Sequence, residues 1–66
     1  MFTSNLTGIM KENEVTVFGL ADKAGVSSRT IMRARGPMIS RCTLETLATI
    51  AAALGVKVKA LFEETE

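Results

Sequence analysis

The chain has no histidine, no tryptophan and no tyrosine, and only one cysteine and one proline in 66 residues. Each shortage closes off a class of explanation. Without histidine, and without Cys, Asp and Glu at ligand spacing, a zinc site has no donor set, so no metal and no cofactor is expected. Cys42 stands alone, so no disulfide can form within a monomer, which fits a reducing, cytoplasmic setting. Gly-rich phosphate cradles and nucleophile–base pairs are missing too, which argues against an enzyme and leaves no evident small-molecule site. The longest apolar run, Ala51 to Leu54 with its neighbours, is far too short to cross a bilayer, and the N-terminus lacks a signal-peptide pattern. No repeat, linker or low-complexity tract divides the chain, so one domain over residues 1–66 is expected. A domain of this size buries only about 60% of its unfolded surface. Well-packed helices or a partner subunit must make up the difference.

Charge is nearly balanced overall, at +1, but unevenly distributed. Residues 1–22 carry −2 and residues 43–66 carry −2, whereas residues 23–42 carry +5 from Lys23, Arg29, Arg33, Arg35 and Arg41, with no acid among them. One basic segment between acidic ones is the footprint of a face that binds a polyanion.

Apolar spacing places helices on either side of that segment. Leu6, Ile9 and Met10 form one stripe of a first helix that begins after Thr3 or Ser4 and closes at the polar run Lys11 to Glu14. Thr16 caps a second helix, with Leu20, Ala21 and Ala24 facing inward. Gly25 ends it in the left-handed conformation, and Val26 plugs the turn. Ser27 caps a third helix in which Ile31 and Ala34 face inward, and Gly36-Pro37 stops it. Thr43 caps a fourth helix with Leu44, Leu47, Ile50, Ala51 and Leu54 on its inner side, and Gly55 ends it. Val58 to Phe62 reads as a fifth, short helix anchored by Leu61 and Phe62. No strand pattern competes, so the expected class is all-α. Two short helices joined at Gly25, the second rich in arginine, have the layout of a helix-turn-helix.

Two blocks carry a family resemblance. Thr16-Val17-x-x-Leu20-Ala21-x-x-Ala24-Gly25-Val26-Ser27-x-x-Thr30-Ile31 resembles the first half of the phage-repressor/Cro-like, or XRE-type, helix-turn-helix domain. Thr43-Leu44-Glu45-x-Leu47-x-x-Ile50-Ala51-x-Ala53-Leu54-Gly55-Val56, followed by Leu61-Phe62, resembles its second half. The resemblance covers roughly residues 5–62. It implies a compact five-helix, lambda-repressor-like fold whose third helix enters the major groove of double-stranded DNA, usually within a symmetric homodimer.

Carried over by position, the resemblance makes Ser27, Ser28, Arg29, Met32 and Arg33 the base readers. The chemistry agrees: an arginine matches guanine O6 and N7 with two parallel donors, serines allow close approach, and a methionine can touch a thymine methyl. Thr16 and Val17, at the start of the second helix, present backbone N–H groups to a phosphate. Arg35, Arg41 and Thr43 are further phosphate contacts around the connection between the third and fourth helices. Candidate dimer surfaces are the apolar segments around Met38-Ile39 and around Val56 and Val58, more so for Ile39 and Val58 than for the core-like Leu61 and Phe62.

The sequence departs from the family pattern in three places. Val17 replaces a frequent glutamine. Ala34-Arg35 replaces an aromatic or aliphatic residue followed by glutamate. Phe18 and Gly19 fall where polar helix formers are usual. Phe18 either folds back onto Phe2 and the first helix or stands exposed as an interaction site. The leading expectation is a small Cro-like repressor of phage or prophage kind, acting in a bacterial nucleoid or an infected cell. Its control would lie in protein amount, dimerisation or a separate partner. The alternative is a protein-interaction module of the same fold, antitoxin-like or an anti-repressor partner, with weak DNA affinity.

Overall fold

The computed structural model describes residues 2–64. Four α-helices make up most of it: α1 (Leu6–Glu12), α2 (Val17–Ala24), α3 (Ser28–Arg35) and α4 (Leu44–Leu54). Two 3-10 turns follow α3 and α4, at Pro37–Arg41 and Val58–Leu61. Strands β1 (Phe2–Ser4) and β2 (Phe62–Glu64) pair antiparallel, with Phe2 opposite Glu64, Thr3 opposite Glu63 and Ser4 opposite Phe62.

The five-helix, all-α expectation is therefore corrected at both ends of the chain. The segment read as a fifth helix is a single 3-10 turn, and Phe62 leaves it to open β2. Four residues cannot nucleate an α-helix on their own, because fixing the first turn costs more than its one hydrogen bond returns. The backbone finds partners in β1 instead. Phe2 and Phe62 lie diagonally across the ribbon with ring centroids 5.7 Å apart at 85°, an edge-to-face contact. This geometry adds about 0.5–1.5 kcal/mol beyond area burial. Thr3 and Ser4 thus belong to a strand, and Asn5 rather than either of them precedes α1.

The core joins residues from every helix. Leu6, Leu20, Ile31, Ile39, Ile50 and Leu61 are all fully enclosed, and Met10, Ala21, Ala34, Leu47 and Ala51 complete the cluster. Burial of each large aliphatic side chain stabilises by about 1.5–3 kcal/mol. Ala21 and Ala34 are small, which lets α2 and α3 pack closely. Two apolar positions behave differently from the sequence expectation. Leu44 is 68% exposed at the start of α4, outside the core it was assigned to. Ile39 is 1% exposed and belongs to that core.

Three of the four α-helices end in the same way. After α1, the Glu14 N–H donates to Lys11 O and the Val15 N–H to Met10 O; after α2, Gly25 and Val26 donate to Asp22 O and Ala21 O. After α4, Gly55 and Val56 donate to Ala52 O and Ala51 O. In each case a left-handed residue (Glu14 φ 55°, Gly25 φ 71°, Gly55 φ 72°) turns the chain, and a valine follows. This is the Schellman closure, which satisfies the last carbonyls locally. The end of α3 lacks it: Gly36 is extended, with φ −110° and ψ −167°, as expected for a residue before proline.

Candidate nucleic-acid interface

The two helices of the motif start on side-chain caps. Thr16 Oγ1 accepts from the Gly19 N–H at 3.0 Å, and Ser27 Oγ accepts from the Thr30 N–H at 3.2 Å. Such caps satisfy one of the donors that a helix start leaves free. The Val17 and Phe18 N–H groups remain without an intrahelical partner, so the positive end of the α2 dipole is open at its first turn. Val17 itself is half-buried and packs against the core.

On α3, the buried positions Ile31 and Ala34 fix which way every other side chain points. With 3.6 residues per turn, Arg29, Met32 and Arg33 fall on the opposite, outer face. All three are exposed, Met32 by 53%. Ser27 also lies at the surface, but its hydroxyl serves the cap and pairs with Thr30 Oγ1 at 2.9 Å. Ser28 is half-buried on the flank of α3, on the same side as Arg35 one helical repeat later. The structure thus brings Arg29, Met32 and Arg33 together and sets Ser28 and Arg35 apart from them.

The flank of α3 meets the beginning of α1. Arg35 Nε donates to Thr7 Oγ1 at 3.2 Å, and Ser4 Oγ donates to the Ala34 carbonyl at 2.6 Å. The same Ser4 hydroxyl oxygen accepts from the Leu6 N–H at 3.2 Å. Thr7 and Thr30, which touch candidate residues in this way, are not among the DNA contacts expected from the sequence, although Thr30 belongs to the first family block. A serine and a threonine three residues apart at a helix start are a visible signal for Ser27 and Thr30. Nothing in the sequence links Thr7 to Arg35, 28 positions away.

Arg41 is exposed at the end of the 3-10 turn after α3, and Thr43 caps α4 by accepting from the Thr46 N–H at 3.1 Å. The Thr43 hydroxyl also donates to Thr46 Oγ1 at 2.8 Å. The four dimer candidates do not form one patch. Ile39 is enclosed, Met38 beside it is 42% exposed, and Val56 and Val58 are half-buried against the core. Of these, only Ile39 reaches an apolar groove of about 140 Å³, lined by Phe2, Ile39, Ser40, Cys42, Leu44, Leu47 and Phe62. Val56 borders a different depression, with Gly8 and Ala60. Phe18 does not fold back: it is 74% exposed, and Phe2 has Phe62 as its aromatic neighbour.

No helix among the described residues is long and apolar enough to cross a membrane. No group of three or more His, Cys, Asp or Glu among them is placed to hold a metal ion. A family model described as Cro/C1-type HTH DNA-binding domain matches residues 5–64. Neither the curated proteins nor the solved structures yield a match.

Proposed function

The chain belongs to the Cro/C1-type HTH DNA-binding domain family, and from that premise we propose a small repressor that binds a palindromic operator as a symmetric homodimer. The family supports a DNA-binding regulator. The observation that carries the finer reading is the shared outer face of Arg29, Met32 and Arg33 on the second helix of the motif. Laid in the major groove, that face offers two bidentate guanine readers with an apolar contact for a thymine methyl beside them. Ser27 and Ser28 allow close approach. The open start of α2 at Thr16 and Val17, with Arg35, Arg41 and Thr43, anchors the phosphates on either side. The setting proposed is the cytoplasm of a bacterial or phage-infected cell.

A dimer places two such helices about 34–36 Å apart, one DNA turn. A domain measuring 33 × 21 × 17 Å suits one half-site each. We place the dimer contact at the groove between Phe2, Leu44 and Phe62, because Phe2 and Leu44 are two of the five large apolar side chains exposed among the described residues. Arg41, Glu45 and Glu63 neighbour the lining residues Cys42, Leu44 and Phe62 in the chain, so charges of both signs are available to pair across a self-complementary two-fold contact. Selection from randomised duplexes tests the whole reading. The expected pool is palindromic with half-sites one turn apart, and a pool without enrichment at low salt would overturn it.

The 74% exposure of Phe18 favours a second reading, in which this family fold serves mainly to dock another protein. That reading expects regulation to survive replacement of both Arg29 and Arg33.

A further inference from the structure

We propose that the start of α1 is a positioning clamp on the recognition helix, in which Thr7 aims the Arg35 guanidinium at a DNA phosphate. The proposal rests on the DNA-binding reading above. α3 ends without the left-handed closure of the other three α-helices and keeps only the Gly36 N–H bond to Arg33 O, at 3.3 Å, so its final turn draws further support from elsewhere. That support comes from one short segment: Ser4 Oγ donates to the Ala34 carbonyl at 2.6 Å, and Thr7 Oγ1 accepts from Arg35 Nε at 3.2 Å.

The two bonds do different things. Ser4 is part-buried, joins β1 to α1 through the Leu6 N–H, and holds the end of the α3 backbone. The Thr7 bond lies at the surface and engages only Nε, one of the five guanidinium donors. The four Nη donors have no hydrogen-bond partner among the described residues and form the fork that suits a phosphate bidentately. Fixing Nε orients the plane of that fork and half-buries the side chain, whereas Arg29 and Arg33 remain exposed. A side chain ordered before binding loses less conformational freedom on contact. Arg35 therefore acts as a preset phosphate anchor at the exit of the recognition helix, with Thr7 as its positioning residue.

The slope of log affinity against log salt reads this directly, since each neutralised phosphate contributes about 0.9 to it on B-DNA. For the full chain on its selected duplex, Arg35→Gln is expected to make the slope shallower by about 0.9 per subunit. Thr7→Val is expected to move it in the same direction, Thr7→Ser to restore it, and the Thr7→Val, Arg35→Gln pair to match Arg35→Gln alone. Thermal melting of all four variants is measured alongside, because a purely structural role for Thr7 moves the melting point and leaves the slope in place. An unchanged slope for Thr7→Val or for Arg35→Gln, or additive losses in the pair, would overturn the clamp. Wild-type protein that selects no duplex would overturn the DNA reading itself, a separate result.

Discussion

The exits of α2 and α3 solve the same problem by opposite means. At the end of α2, everything needed lies within a few residues: Gly25 takes a left-handed φ of 71°, and Val26 donates back to Ala21 O and packs on the core. At the end of α3, Gly36 is extended, Pro37 has no N–H to give, and the Ala34 carbonyl is met by a serine 30 positions earlier. The α2 exit fixes the angle inside the motif and is local. The α3 exit sets where the recognition helix stops and depends on the far end of the chain. A reader helix held at one end by its own turn and at the other by tertiary structure makes its aim a property of the whole fold.

Three substitutions separate the two exits, in decreasing order of expected effect. Ser4→Ala leaves the enclosed Ala34 carbonyl without its donor, and a buried unsatisfied acceptor costs about 1–3 kcal/mol. Urea unfolding should show that loss. Gly25→Ala forces a side chain into the left-handed region and costs about 1–2 kcal/mol. Gly36→Ala should be neutral or slightly stabilising, by up to about 1 kcal/mol. Its φ is ordinary, and an added Cβ meets nothing nearer than Met32 O at 3.8 Å. Equal losses at both glycines would mean that the two exits do not differ. Glu14→Gly, at the one non-glycine left-handed position among the described residues, is expected to gain about 0.5–1 kcal/mol, visible as a raised melting temperature.

This contrast also marks how far the sequence was legible. Features set by neighbours in the chain could be read: the caps at Thr16, Ser27 and Thr43, the turns at Gly25 and Gly55, and the stop at Gly36-Pro37. Features set by distant partners could not. The β1–β2 ribbon pairs the two ends of the chain through strands of three residues, too short to show a period. Leu44 fits the apolar spacing of α4, but at its first position the helix has already cleared the core, and Ile39 sits in a turn where no periodicity points inward. In the candidate site, the outer face of α3 followed from Ile31 and Ala34 alone. The attachment of Arg35 to Thr7 needed three dimensions.

Base reading by the Arg29–Arg33 face of α3 can be measured by paired binding and melting of the Arg29→Ala, Arg33→Ala double variant. The expected loss is at least about 2 kcal/mol per subunit on the selected duplex, roughly thirtyfold, down to the affinity for unrelated DNA. Stability is expected to stay within about 0.5 kcal/mol of wild type, as for surface substitutions. Retained preference for the selected duplex in a folded double variant would contradict base reading by this face.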